Sequence, residues 1–204
     1  MMSDEVKIQQ RYGIKAVTNK DFPLLKEALH NIFNIELDYD PALKKYASYS
    51  VADVIHSMFI PPDTAGRIRI IFIDNTADLS CGMFRDTDII GFNMFRKKLV
   101  FVAIPEAVEP ISEECPYVPV NIDNYLLSVT FHELYENLTG DVRHCNNPGS
   151  CINSVCKFYE NGTCCVCMAG LIDRKYPDIT IDDLYCGEHA ARLKKALAVM
   201  AGLE

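Results

Sequence analysis

The stretch IRIIFID, residues 68–74, is an almost unbroken run of large apolar residues, most of them β-branched. Such a run is typical of a strand that is buried on both faces, because a strand with one solvated face alternates apolar and polar residues. Other elements must then cover both faces of its sheet. The stretch therefore predicts a layered domain with this strand near the centre.

The surrounding sequence predicts that helices and strands alternate and that two further strands follow. The predicted strands cover residues 14–17, 34–37, 68–74, 88–95 and 98–105, and the predicted helices begin near Asp21 and Ser50 and cover residues 126–138 and 184–200. Asn19 or Asp21 is the predicted cap of the first helix. The chain has no repeats or low-complexity linkers, so we expect a single three-layer α/β domain with a mixed sheet over residues 1–204.

The sequence HELYE lies in a predicted helix and runs from His132 to Glu136. Side chains four residues apart lie on the same helix face, so His132 and Glu136 can both reach one metal ion. Glu133 would face the open side of that metal, where a carboxylate can take a proton from bound water. His144, which follows a helix stop at Gly140, is the predicted third ligand. Because the motif is short, a helix with ordinary charges is the alternative.

Cysteines are unusually dense near this helix, since six of the nine fall within 23 residues. In a reducing compartment such a cluster indicates a metal site more often than disulfides, and buried free thiols are the alternative. The six are Cys145, Cys151, Cys156, Cys164, Cys165 and Cys167. Cys186 and His189 also have ligand-like spacing, but they lie at the start of the last predicted helix, where a capping or packing role is the prediction.

The order of these residues resembles that of the archaemetzincins, a family of zinc metallopeptidases. The family pattern is HExxHxxGxxHC, four residues, CxM, a spacer and CxxC. The matching residues here are His132-Glu133, His144-Cys145, Asn147-Pro148-Gly149, Cys151, and the CxxC formed by Cys164 and Cys167. Softer matches lie upstream in YSVADVIHSMF, IRIIFIDNTADL and GFNMFRKKLVFVAI, so the resemblance extends from about residue 14 to residue 167.

The resemblance implies a metzincin-like domain with an active-site helix and a cysteine-rich zinc-binding segment at residues 145–167. It assigns Glu133 as the catalytic base and places zinc ligands at His132, His144 and the position of Glu136. It also implies a structural zinc on Cys145, Cys151, Cys164 and Cys167. The chain departs from the family pattern at four points: Glu136 replaces a histidine, the interval from His132 to His144 is two residues longer, Cys145 and Cys151 enclose five residues instead of four, and Asn153 replaces the methionine.

These observations leave two functional hypotheses. The first is a zinc metallopeptidase that acts on a peptide or protein substrate. The second is a non-catalytic relative that keeps only the cysteine zinc and acts as a binding module, with Cys156, Cys165, Cys186 and His189 as alternative ligands. Neither hypothesis specifies an oligomeric state.

Composition excludes other classes of function. The net charge of −8 and the single basic residue between Cys145 and Cys167 argue against nucleic-acid binding. The sequence has no run of about 18 apolar residues, so it predicts no membrane-spanning segment. The N-terminal sequence lacks the apolar segment of a secretion signal, so we expect a cytoplasmic protein.

Overall fold

The computed structural model describes residues 13–48, 60–74, 91–104, 121–155 and 165–203, without the side chains of residues 165–167. Its strands are β1 (Ile14–Thr18), β2 (Ile35–Tyr39), β3 (Ile68–Ile73), β4 (Gly91–Met94) and β5 (Leu99–Ala103). Its α-helices are α1 (Pro23–Phe33), α2 (Ile122–Thr139), α3 (Cys165–Lys175), α4 (Ile181–Leu184) and α5 (Gly187–Met200). The helix predicted from Ser50 lies outside the described residues.

The five strands form one mixed sheet in the order β2-β1-β3-β5-β4. The first four strands in this order pair in parallel, and β4 pairs antiparallel with β5 at one edge. All six residues of β3 are buried, as the IRIIFID stretch predicts. The predicted α/β class with a mixed sheet is therefore confirmed.

Apolar side chains cover both faces of the sheet. On one face, α1, α2 and the C-terminal helices pack in a large cluster, in which the rings of Phe33 and Phe131 lie 5.0 Å apart. On the other face, a smaller cluster includes Leu43 and Tyr46, from a 3-10 helix at Pro41–Tyr46, together with Ile60. Gly91 and Asn93 alternate with Phe92 and Met94 along β4, and these two apolar residues pack on the smaller cluster. Gly91 and Asn93 therefore face the side on which α2 lies.

The helix α2 is buried along almost its whole length, from Asn124 to Leu138. The side chain of Asn121 caps its first turn by accepting from the main-chain N–H of Asp123 at 2.8 Å. Asn137 ties the other end to the sheet through a 3.0 Å hydrogen bond from Nδ2 to the carbonyl of Leu99. The helix that carries the HELYE sequence is thus a fixed central element, with little freedom to move relative to β5.

Three details differ from the sequence predictions. Neither Asn19 nor Asp21 caps α1, because Phe22 precedes that helix and no side-chain cap is formed. Asn19 instead bonds both main-chain groups of Phe72, at 2.7 and 2.8 Å, which ties the end of β1 to β3. The predicted helix 184–200 is observed as α5, which begins at Gly187, and Leu184 instead ends the separate short helix α4. Among the described helices, none has both the length and the apolar character needed to cross a bilayer.

Candidate metal centres

The central helix carries buried polar side chains that its packing does not require. His132, Glu133 and Glu136 are each at most 7% exposed. Burying ionisable groups costs free energy unless they are paired or bind a metal. Such a cost on the most buried of the described helices indicates a functional site.

His132, Glu136 and His144 bring their ligand atoms together; we call them the histidine–glutamate group. Nε2 of His132 and Nε2 of His144 lie 3.5 and 3.6 Å from Oε1 of Glu136. All three atoms lie within 4.8 Å of one another. Tetrahedral zinc with bonds of about 2.0–2.2 Å places such atoms about 3.3–3.6 Å apart. The three side chains therefore fit one ion.

The loop after α2 brings His144 back to the helix that carries His132 and Glu136. Gly140 ends α2 with a φ of 67°, in the left-handed region that glycine tolerates, and its N–H donates to the carbonyl of Glu136 at 2.8 Å. The carboxylate of Asp141 then accepts from the main chain and side chain of Arg143 and pairs with Arg192 of α5. This turn places His144 beside Glu136.

The imidazole of His132 is held with its ligand nitrogen facing Glu136. Its Nδ1 lies 3.3 Å from the carbonyl oxygen of Ile152, and a carbonyl only accepts, so Nδ1 carries the proton. Nε2 is then left with its lone pair for a metal. Burial, together with the neighbouring His144, lowers the pKa of His132 to about 3, so the ring is neutral as a ligand must be.

Glu133 lies beside this group and is held by the edge strand β4. Nδ2 of Asn93 donates to Oε2 of Glu136 at 2.5 Å and to Oε2 of Glu133 at 3.3 Å. Burial and the nearby Glu136 raise the pKa of Glu133 to about 8, against the opposing effect of Asn93. Burial likewise raises the pKa of Glu136 to about 7. A metal would reverse this preference for the protonated form, since a cation favours the carboxylates.

Gly91 provides the space in which Glu133 lies. An alanine Cβ at this position would lie 2.6 Å from Oε1 and 2.7 Å from Cγ of Glu133. The sequence interpretation missed both Gly91 and Asn93, although two poor strand formers at alternate positions of a strand were a usable signal. They lie next to Glu133 only because β4 pairs with β5 beside α2.

A Gly91→Ala substitution should lower the free energy of unfolding by about 1–3 kcal/mol, because the added methyl group displaces Glu133 from a packed site. Denaturant unfolding measures this cost. Gly13→Ala is the matched control, since its Cβ would meet Glu36 at an ordinary 3.6 Å. In a Glu133→Ala background the cost should largely disappear; an undiminished cost there would show that contact with Glu133 is not its cause.

A second group of ligand atoms comes from Cys145, Cys151, Cys186 and His189; we call it the cysteine–histidine group. The sulfur atoms of Cys145 and Cys186 lie 3.8 Å apart. Nδ1 of His189 lies 3.1 Å from Sγ of Cys186 and 3.3 Å from Sγ of Cys151. Zinc–sulfur bonds of about 2.3 Å in a tetrahedron place two sulfurs about 3.8 Å apart. Three thiols and one imidazole thus lie close enough together to fill the four positions around one ion.

The surroundings of this group affect the protonation of its ligands in opposite directions. Burial raises the pKa of the Cys151 thiol well above its usual range, although main-chain N–H groups of Cys186 and Asn153 favour the thiolate. Burial also acts to raise the pKa of Cys186, but polar groups of His189 and the neighbouring thiols lower it to about 7. Nε2 of His189 lies 3.2 Å from the carbonyl of Arg143 and so carries the proton, which leaves Nδ1 for the metal. The ring of Tyr135 packs edge-on against His189 and stacks on Tyr185.

One part of the prediction for Cys186 and His189 is wrong, namely the capping role of Cys186. Cys186 directly precedes α5, but its side chain forms no capping hydrogen bond, and its sulfur faces the other ligand atoms instead. Their CxxH spacing was the signal that could have identified them. The group includes two of the cysteines that the sequence predicted as metal ligands, Cys145 and Cys151. The structure does not describe Cys156, Cys164 or the side chains of Cys165 and Cys167. A ligand role for Cys164 and Cys167 therefore stays a prediction.

The fold and the two groups together define an α/β domain with two candidate metal centres on one side of its sheet. No protein-family model, no curated protein and no solved structure matches the chain.

Proposed function

We propose that the protein is a zinc-dependent peptidase of the archaemetzincin type, with a metzincin-like domain. The observation that carries this proposal is the convergence of His132, Glu136 and His144 on one point, with Glu133 beside them. A set of two imidazoles and one carboxylate is typical of catalytic zinc, which keeps a coordination position open. The cysteine–histidine group, which fills all four positions with side chains, suits a structural zinc.

Zinc held by the histidine–glutamate group would polarise a peptide carbonyl and make a water molecule more acidic. Glu133, which lies beside these ligands, would accept the proton of that water and return it to the leaving amine. A base works best when its pKa is near the working pH, and burial of Glu133 moves its pKa in that direction. Asn93 positions both carboxylates through one amide group. Glu136 weakens the positive charge of the centre compared with a third histidine, so the expected activity is modest.

The edge strand β4 is suited to hold the substrate. It pairs with β5 on one side only, within the part of the chain that the structure describes. An extended peptide can bind such an edge by adding a strand to the sheet, with main-chain hydrogen bonds that do not depend on sequence. Gly91 of this strand lies beside Glu133, so a peptide bound along β4 would pass close to the proposed catalytic base.

One observation favours a second candidate, a non-catalytic protein that keeps only the cysteine–histidine metal. Burial raises the pKa of both Glu133 and Glu136, so both carboxylates favour the neutral form, which is a poor ligand and a poor base. In that case β4 and the cleft beside it would bind a peptide without cleaving it. A cytoplasmic location remains a prediction under either candidate.

Metal content and peptide cleavage distinguish the two candidates. The zinc-loaded chain should contain two zinc ions and cleave a peptide library, and His144→Ala should contain one zinc ion and cleave nothing. His30→Ala is the matched control, because His30 lies exposed on α1 and belongs to neither group. The non-catalytic candidate would be favoured by two results together. The wild-type chain would cleave no peptide, and it would contain a single zinc ion that is also present in His144→Ala.

A further inference from the structure

We propose that metal binding by the cysteine–histidine group positions the two imidazoles of the histidine–glutamate group and so raises the metal affinity of that second site. The two candidate centres are then loaded in order, with the cysteine–histidine group first. The inference goes beyond peptidase activity, because it concerns how the chain assembles the site and holds whether or not a peptide is cleaved.

The first connection between the groups is the backbone around His144. Cys145 follows His144 directly and belongs to the other group. On the preceding side, the carbonyl of Arg143 accepts a hydrogen bond from Nε2 of His189 at 3.2 Å. Two ligands of the cysteine–histidine group therefore hold the chain on both sides of His144. A metal that fixes Cys145 and His189 relative to each other also fixes the residue between their contacts.

The second connection is the hydrogen bond that orients His132. Its Nδ1 donates to the carbonyl of Ile152, and Ile152 directly follows the ligand Cys151. The N–H of Ile152 in turn donates to the carbonyl of Leu184 at 2.8 Å, two residues before the ligand Cys186. The acceptor that selects the correct tautomer of His132 is thus held between two cysteines of the other group.

Main-chain hydrogen bonds join these two connections. The N–H of Cys145 donates to the carbonyl of Asn153 at 3.0 Å, and the N–H of Val155 donates to the carbonyl of Cys145 at 3.1 Å. The hydroxyl of Ser154 also donates to the carbonyl of Cys145 at 3.0 Å. The segment that carries His144 and the segment that orients His132 are therefore joined by hydrogen bonds into one unit. The thiols of Cys145 and Cys151 in this unit belong to the cysteine–histidine group.

The expected size of the effect follows from the groups that support metal ligands elsewhere. Loss of such an outer partner typically lowers metal affinity about 10–100-fold. Coupling between two sites is reciprocal, so the second metal strengthens the first by the same factor. Four ligands that include three thiolates bind zinc more tightly than two imidazoles and one carboxylate. The tighter group therefore fills first, and the effect is seen at the weaker one.

The main test is metal affinity in a variant that disables the first group. Cys186→Ser removes one thiolate ligand and alters no residue of the histidine–glutamate group. We expect its affinity for cobalt(II) at the histidine–glutamate group to fall about 10–100-fold, as measured by competition with a chelator of known affinity. Val199→Ala, which changes an exposed residue of α5 outside both groups, should show no change. A change of less than about threefold in Cys186→Ser would overturn the inference.

A second measurement on the wild-type chain keeps the test decisive if Cys186→Ser fails to fold. NMR of the histidine rings measures how fast the Nδ1 proton of His132 exchanges with solvent during stepwise addition of zinc to the metal-free protein. The first equivalent should slow this exchange before the second equivalent binds, because it fixes the carbonyl of Ile152 that accepts the hydrogen bond. The same exchange rate without metal and with one equivalent would contradict the inference. If the second equivalent never binds, the proposed peptidase fails, whereas the exchange rate of His132 still decides this inference.

Discussion

Zinc should raise the free energy of unfolding of the metal-free chain by at least about 4 kcal/mol when free zinc exceeds the dissociation constant about a thousandfold. Micromolar zinc reaches that excess for a nanomolar site. The reason is that the four ligands of the cysteine–histidine group meet only in the folded chain, where Cys145 and Cys151 lie in a loop and Cys186 and His189 at the start of α5. A metal that binds only the native state stabilises it.

Denaturant unfolding in zinc buffer and in chelator measures this difference. Cys151→Ser should lose most of the gain, because Cys151 is fully buried and its sulfur faces His189. His144→Ala is the matched control and should keep most of it, since it removes a ligand from the other group only. Equal unfolding midpoints for the wild-type chain with and without zinc would rule out a structural metal on these four residues.

The metal-free Glu133→Gln variant should become more stable relative to the wild-type chain as pH rises from 5 to 8. Burial raises the pKa of Glu133 to about 8 in the folded protein, from an ordinary value of 4.5. Between these two values the folded chain keeps a proton that the unfolded chain releases, so wild-type stability falls as pH rises. Glutamine has no such proton. We expect about 1 kcal/mol per pH unit, or on the order of 2–3 kcal/mol over the whole range.

The difference in unfolding free energy between variant and wild type, measured in chelator at several pH values, isolates this effect, because the histidines and thiols are common to both proteins. Glu188→Gln is the control for loss of a carboxylate, since the side chain of Glu188 is 71% exposed on α5. A difference that stays constant from pH 5 to pH 8 would mean that Glu133 is ionised in the metal-free fold. Zinc should abolish the slope, because the ion favours the carboxylate.

Patterns that act within one element were predictable from the sequence. The run IRIIFID predicted β3, and the two strands predicted at residues 88–95 and 98–105 are observed as β4 and β5. The helical spacing of His132 and Glu136 was enough to place both on one face of α2. In each case the signal is a period or a turn of a few residues, which is set by backbone geometry alone.

Contacts between distant elements were not predictable in the same way. Asparagine is a common helix cap, yet the side-chain amide of Asn19 forms hydrogen bonds with the main chain of Phe72, which is 53 residues away. Cys164 and Cys167 have the better local spacing, whereas the described group takes Cys186 and His189 from another helix. Gly91 and Asn93 reach Glu133 through sheet pairing. Such partners follow from the packing of whole elements, which short motifs do not encode.

The stacking of Tyr135 on Tyr185 and its edge contact with His189 has a practical consequence for spectroscopy. The chain contains ten tyrosines and no tryptophan, so tyrosine emission is not hidden by a stronger fluorophore. The rings of Tyr135 and Tyr185 are fully buried with centroids 5.4 Å apart, and the centroid of Tyr135 lies 5.1 Å from that of His189. An ion on Nδ1 of His189 therefore changes the electric field at a native fluorophore. Loading of the cysteine–histidine group can be followed in the unlabelled protein by its own ultraviolet emission.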